Sequence, residues 1–332
     1  MKAAILKGPS QLVIENIPDP TPSDNDLLVK VKYCGICGSD LHIYESPNTP
    51  PGHIMGHEFA CEVVEVGSNV RDFSVGDRVW PSGFEPEWIW KPEHGWDLKA
   101  WAHDDFVKKM GGYGEYILRA PESMAIIPDQ VSYEEACMLD PVSSALAGLH
   151  HAKLQIGESV LIIGAGPLGL LAIRLCQLAG ASKICVLEIS EGRAQFARKM
   201  NPNWVLNPLE PDVRERITEL FDGFGPDVVL DYAGSQGAVQ MAIETVRVGG
   251  RIALVALNFE DIKVNTMKMF LKGVSMYSVL DLDYGAGAKL ITQKMIDPTE
   301  IISAYISLEQ LPEAFERLLH PKDEVKILVQ YD

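Results

Sequence analysis

The sequence is poor in basic residues. Lys and Arg number 29 against 46 Asp and Glu, the formal net charge is −17, and the basic residues nowhere gather into a run. A chain of that sign repels phosphate backbones, so nucleic acid is excluded as a partner class. No apolar run reaches the roughly 18 residues that a membrane span needs. The opening MKAAILKGPSQLVIENIPDP has too short an apolar patch for a signal peptide. Cysteine is scarce too: the 6 present are irregularly spaced, and Cys176 and Cys185 fall inside apolar stretches. That pattern excludes a disulfide framework and leads us to expect a reducing, cytoplasmic compartment with no membrane partner. Internal repeats and low-complexity linkers are also missing.

What is present is a chain of 332 residues, 47% apolar and 23% charged, enough for two domains with a core each. The first 130 or so residues break into short apolar or alternating stretches (QLVIENI, DLLVKVKYC, ACEVVEVG, GDRVWP, GEYILRA) separated by Gly, Pro and Asp. Such spacing predicts an all-β unit, a small barrel. At Tyr133 the texture changes. YEEACMLDPVSSALAGLHHA has helical spacing, with Pro141 placed to bend or restart the helix. From Ser159 strands (SVLII, KICVLEI, DVVLDYA, RIALVAL, GVSMYSV) alternate with helices (PLGLLAIRLCQLAG, EGRAQFARKM, AVQMAIETV). That alternation predicts βαβ units and a parallel sheet. From about Asp281 the character is mixed again, and the chain ends in VKILVQ, a strand that must pair somewhere.

In LIIGAGPLGLL, Gly164, Gly166 and Gly169 form a G-x-G-x-x-G pattern that directly follows a strand and opens a helix. With 28 glycines in the chain the triplet alone is weak; its βαβ context is what gives it weight. Gly164 suits the tight turn, Gly166 the approach of a pyrophosphate to the backbone, and Gly169 close helix–strand packing. The helix behind it is expected to bury Leu168, Leu171, Leu175 and Leu178, and its N-terminus offers free N–H groups to phosphates. Glu188 ends the next strand, 19 residues beyond Gly169, where a carboxylate bonds ribose hydroxyls and repels a 2′-phosphate. NAD is therefore favoured over NADP. Arg193, able to serve a phosphate, pulls the other way.

A second constellation lies in the N-terminal half. CGICGSDLH, Cys34 to His42, opens on two cysteines two residues apart, a spacing open to three readings: a redox pair, half a metal site, or one useful cysteine beside a bystander. Farther on, MGHEFACEVVEVGSNV places His57 next to Glu58. A thiolate, an imidazole and a carboxylate together suit zinc with one position left open.

The combination resembles the zinc-dependent medium-chain dehydrogenase/reductase family, which includes alcohol, sorbitol and threonine dehydrogenases. The family signature G-H-E-x-x-G, five residues, G, two residues, small or aliphatic, is matched by Gly56-His57-Glu58-Phe59-Ala60, then Gly67 and Val70. Cys61 stands where Gly is usual, and we read it as packing in a buried strand. The resemblance implies an α/β plus β fold: a GroES-like β-barrel catalytic domain over 1–145, a Rossmann NAD-binding domain over 146–278, and a return to the first domain over 279–332. It implies one catalytic zinc per chain on Cys37, His57 and, variably, Glu58, with Asp140 of Asp140-Pro141 as a further carboxylate. Cys34 carries no metal role and is left to packing. Ser39 and His42 match a proton relay from the substrate hydroxyl through cofactor ribose to solvent. Pro167, Leu168, Val255 and Leu257 join the glycines, Glu188 and Arg193 at the cofactor.

Many relatives hold a second zinc on four clustered cysteines after the GDRV strand. The corresponding SGFEPEWIWKPEHGWDLKAWAHDDFVKKMGG contains no cysteine, which excludes a Cys₄ zinc here. Tryptophans fill it instead: Trp88, Trp90, Trp96 and Trp101, with Trp80 just upstream. They hold the lobe together, line the substrate cleft, or face another subunit. His94 and His103, near Glu93, Asp104 and Asp105, are read as surface residues.

The activity implied is reversible hydride transfer between a secondary alcohol (a polyol, sugar or threonine-like substrate) and NAD, by a homodimer or homotetramer joined along GVSMYSV. Met276 departs from sorbitol-type enzymes, which carry an Arg in that strand. Three other readings stay open: a zinc-free quinone-type reductase, a non-catalytic NAD-binding protein, and a thiol–disulfide oxidoreductase using Cys34 and Cys37.

Overall fold

The computed structural model of the chain describes residues 1–47, 49, 51–83, 111–258, 261–280 and 282–332. Two compact units emerge, Met1–Asp140 with Tyr284–Asp332 (unit 1) and Pro141–Asp283 (unit 2). Trp88, Trp90, Trp96, Trp101, His94, His103, Glu93, Asp104 and Asp105 lie outside the described residues. The units divide between Asp140 and Pro141 and between Asp283 and Tyr284, and within unit 1 the Tyr284 hydroxyl bonds the Asp140 carboxylate.

In unit 1, β1 (Lys2–Gly8) pairs antiparallel with β2 (Gln11–Asn16). A seven-stranded sheet takes β3 (Leu27–Gly35), β4 (Glu58–Val66), β5 (Arg78–Pro81), β6 (Tyr116–Arg119) and β7 (Met124–Ile126). The alternation in β3 sets its faces: Leu27, Val29 and Val31 are fully buried, and Leu28, Lys30 and Lys32 between them only half so. The helical stretch from Tyr133 is two helices, Tyr133–Cys137 and Leu139–His151, parted at Met138. Pro141 occupies the first turn of the second, where a missing N–H breaks no helical bond.

Unit 2 carries β8 (Ser159–Ile163), β9 (Lys183–Leu187), β10 (Trp204–Leu206), β11 (Val228–Asp231), β12 (Arg251–Leu254) and β13 (Ser275–Ser278). All pair parallel, in the order β10-β9-β8-β11-β12-β13. This is a doubly wound sheet whose connections reverse direction between β8 and β11, where such folds bind dinucleotides. Every residue of β8 is buried, as a strand covered on both faces requires. The expected leucine stripe on the helix Pro167–Leu178 needs correcting. Leu171 and Leu175 are buried, but Leu168 is half-buried and Leu178 is 46% exposed. Gly169, Leu170, Ala172, Ile173 and Cys176 complete the buried face. The helix is apolar round most of its girth, so leucine spacing alone misplaces the face.

The chain then re-enters unit 1 with β14 (Ile302–Ile306) and β15 (Lys326–Gln330). VKILVQ finds its partner in β3: antiparallel pairing sets Leu328 opposite Gly35 and Val329 opposite Cys34. On the helix Leu311–Leu319, Phe315 meets the edges of Tyr44 at 5.1 Å and Tyr113 at 5.8 Å between ring centres. Aromatics of this size each remove about 150–250 Å² from water, so the C-terminal segment is integral to this core.

Candidate metal centre and dinucleotide site

The helix Gly38–Glu45 starts immediately after Cys37, which acts as its N-cap. Asp40, in its first turn, accepts the Cys37 backbone N–H at 3.0 Å and fixes the cysteine at the helix mouth. His57 and Glu58 arrive from the other direction, at the start of β4. The ligand atoms of Cys37, His57 and Glu58 lie within 4.8 Å of one another. A soft sulfur, an imidazole and a carboxylate so close fit a zinc ion.

The surroundings strengthen the fit. His57 Nδ1 lies 3.4 Å from Asp40 Oδ1, and neither buried atom has another partner. An imidazole held on one nitrogen by a carboxylate presents the other, Nε2, to a metal. Asp40 is fully buried and its other oxygen accepts the Tyr113 hydroxyl at 2.6 Å. Burial alone would lift the Asp40 pKa, but His57, Tyr113 and the Cys37 amide outweigh it and hold the pKa below its usual value. Burial likewise opposes a proton on His57; the Asp40 charge and the Cys37 sulfur prevail and push its pKa well up.

Behind Glu58 stands a cation that the motifs do not reveal. Lys326, in β15, pairs with Glu58 Oε2 and donates to the Ile36 carbonyl at 3.0 Å; the two charged side chains are 1% and 2% exposed. Burial works against the ammonium, but the Glu58 carboxylate outweighs it and raises the Lys326 pKa. Gly35 makes room for the pair. A Cβ there would sit 2.2 Å from Glu58 Oε2 and 2.9 Å from Lys326 Cε.

Asp140 is not gathered into this group; it accepts the hydroxyl of Tyr284. The Cys34 sulfur is buried against Gly56 and Gly112, where a Cβ would stand 2.9 Å and 2.4 Å from it. Burial drives its pKa well above the ordinary thiol range, and all 6 cysteines are free. Cys61 is likewise fully buried, in β4. Ser39 and His42 sit on the helix Gly38–Glu45, one turn apart, the serine buried and the histidine exposed. Asp40, Tyr113, Lys326 and Tyr284 were not singled out from the sequence. Two signals were available: an Asp three residues after Cys37 in capping spacing, and a lone Lys in an otherwise apolar terminal strand.

In unit 2 the glycine loop joins β8 to the helix Pro167–Leu178. Gly164 is left-handed, with φ of 95°. A Cβ on Gly169 would strike the Gly164 carbonyl at 1.9 Å, whereas one on Gly166 would meet nothing within 4 Å. The loop thus turns tightly, packs closely and leaves open space at Gly166, a cradle suited to a pyrophosphate. Pro167 and Leu168 form the first turn of the helix. Glu188, just past β9 and 7% exposed, accepts the N–H groups of Ala165 at 2.7 Å and Ser190 at 2.8 Å, so its carboxylate is fixed beside the loop. Arg193 lies in the first turn of the helix Glu191–Lys199. Val255 is half-buried and Leu257 exposed in the segment after β12. No helix among the described residues is long and apolar enough to cross a membrane.

Comparison with known proteins agrees with both units. Residues 23–129 match the alcohol dehydrogenase GroES-like domain, and residues 167–289 match the zinc-binding dehydrogenase model. Sorbitol dehydrogenase of Bacillus subtilis is 32% identical over 99% of this chain and 97% of its own. L-threonine 3-dehydrogenase of Yersinia enterocolitica is 28% identical over 100% of both. The crystal structure of 2R,3R-butanediol dehydrogenase from Bacillus subtilis superposes with a TM-score of 0.87 at 29% identity, covering 100% of this chain and 99% of that one. The fold expected from the motifs is borne out, and the chain belongs to the zinc-dependent medium-chain dehydrogenases, enzymes of alcohol oxidoreduction.

Proposed function

We propose that the protein oxidises a secondary alcohol of the polyol, sugar or threonine-like class with NAD, using one catalytic zinc per chain. The observation that carries this is the grouping of Cys37, His57 and Glu58 within 4.8 Å, three ligands that leave a fourth position for a substrate oxygen. A zinc ion bound there supplies Lewis acidity that lowers the pKa of the alcohol, and NAD supplies the hydride acceptor. The chain's own residues do the rest. Asp40 orients His57, and Lys326 orients Glu58. Ser39 would take the hydroxyl proton and pass it, by way of the ribose of a bound cofactor, to His42, exposed one helical turn away, which would release it to solvent.

The cofactor preference rests on Glu188. Held through both oxygens by backbone N–H groups, it cannot swing away from a 2′-phosphate, which it would repel. A homodimer or homotetramer is supported at β13, which ends the sheet order with one edge unpaired among the described residues. Beside it in sequence, Met267, Phe270 and Leu271 are 62%, 79% and 72% exposed.

The test is cofactor reduction across alditols, inositols, aldoses, diols and threonine, with NAD and NADP in parallel and zinc content measured on the same samples. One equivalent of zinc per chain and turnover of at least one secondary alcohol with NAD are expected. Bound zinc and NAD without turnover across the panel would instead favour a non-catalytic binding protein, and a zinc-free active enzyme a quinone-type reductase.

A further inference from the structure

Asp140 stands where a further carboxylate is expected on the metal, yet it lies outside the Cys37, His57 and Glu58 group. Its Oδ2 accepts the hydroxyl of Tyr284. Tyr284 opens the helix Tyr284–Thr292 and is only 7% exposed, so packing fixes the ring and leaves the hydroxyl little freedom to turn elsewhere. Glu58 is held differently, by the Lys326 cation.

Coordination number gives these two tethers a consequence. Cys37, His57 and Glu58 supply three ligands, and a catalytic zinc keeps its fourth position open. Asp140 as a fourth ligand would close that position to substrate. A carboxylate near a divalent ion is drawn toward it unless another partner holds it, and the Tyr284 hydroxyl is that partner. We propose that Tyr284 is a positioning residue: by holding Asp140 through Oδ2 it keeps this carboxylate off the metal and the fourth position free. The inference rests on the zinc-dependent reading above.

Zinc affinity by chelator competition, together with the visible spectrum of the cobalt-substituted protein, tests it on the full chain. Asp140→Asn should leave zinc affinity within about tenfold of the parent and the cobalt spectrum unchanged. Tyr284→Phe, which keeps the ring packing, should release Asp140 onto the metal. Zinc then binds about tenfold or more tightly, the cobalt spectrum changes, and kcat falls. Tyr284→Phe combined with Asp140→Asn should lose the gain in affinity, which general damage to the fold would not produce in the first place. A loss of zinc in Asp140→Asn comparable to that in Cys37→Ser would overturn the proposal, as would a Tyr284→Phe protein with parental affinity and spectrum. If the parent itself binds no zinc, the zinc-dependent reading falls and this one with it; zinc in the parent with failure in the variants refutes the role of Tyr284 alone.

Discussion

Replacing Lys326 by Met removes the ammonium that pairs with a buried carboxylate while keeping an unbranched side chain of similar length. Glu58 and Lys326 are 2% and 1% exposed, so solvent does little to screen the loss. Stripping one partner from a buried pair costs about 3–5 kcal/mol, chiefly because the other charge is left uncompensated. The lost bond to the Ile36 carbonyl, 3.0 Å in the parent, falls within that range. A typical domain is stable by about 5–15 kcal/mol, so the variant should fold but be visibly weakened. Urea unfolding of the metal-free protein reads this directly. With a slope of about 3 kcal/mol per M, the midpoint of the transition that includes unit 1 should fall by about 1–1.7 M.

Gly35→Ala attacks the same pair by a different route. The new Cβ would stand 2.2 Å from Glu58 Oε2 and 3.1 Å from Lys326 Nζ, so the two groups must move apart. Both substitutions spoil one contact, and their effects must therefore be less than additive, with a coupling of about 1–3 kcal/mol in a double-mutant cycle. Adding Glu58→Gln to Lys326→Met should recover most of the loss, since no unpaired charge then remains. Strict additivity of Gly35→Ala and Lys326→Met, or no recovery from Glu58→Gln, would refute the claim that Gly35 exists to house a buried ion pair.

Three further outcomes follow from other parts of the molecule. Cys37→Ser should lose zinc, whereas Cys34→Ser should retain it and destabilise the protein by about 1–3 kcal/mol, because a hydroxyl replaces a thiol in a dry niche; zinc content and urea midpoints check both. A thiol–disulfide enzyme would instead lose all activity with Cys34→Ser. Glu188→Gln removes the charge that discriminates against NADP. A phosphate charge about 5 Å from that carboxylate is repelled by about 3 kcal/mol at an effective dielectric near 20, so the NAD-to-NADP ratio of kcat/KM should fall by up to about 100-fold. An unchanged ratio would place cofactor selection elsewhere. Asp227 accepts the Ser159 amide at 2.7 Å and hydroxyl at 2.6 Å and pairs with Arg247 at 2.8 Å. Burial opposes its charge, but these partners bring the pKa below the unfolded value of 3.8. Its contribution is therefore complete above that value and lost as pH falls through the folded pKa. Thermal melts of Asp227→Asn should accordingly lose less stability than the parent on acidification below about pH 4.

How much of this was legible in sequence depended on how far apart the interacting residues lie along the chain. Gly164, Gly166 and Gly169 act within one turn, and their spacing encodes the turn, the opening and the close approach directly. Cys37 and the His57-Glu58 pair are 20 residues apart, but a known signature bridges that gap. Asp140 shows where a signature stops: Asp-Pro at the start of a helix marks a carboxylate near the site, but whether it reaches the metal is decided by Tyr284, 144 residues on. The same holds for Glu58. Its partner Lys326 is 268 residues away, brought in only when β15 pairs with β3 and sets Leu328 opposite Gly35. No local period or spacing records that register. What does survive in the sequence is an inconsistency, a lysine inside the apolar run VKILVQ, and a charge in a buried strand demands a partner. The glycine of CGIC completes the pattern: its place between two cysteines drew attention to the sulfurs, while the missing Cβ makes room for a carboxylate and an ammonium from the strands on either side of β3. Residues that violate their local context are therefore the best sequence pointers to contacts that only the fold creates.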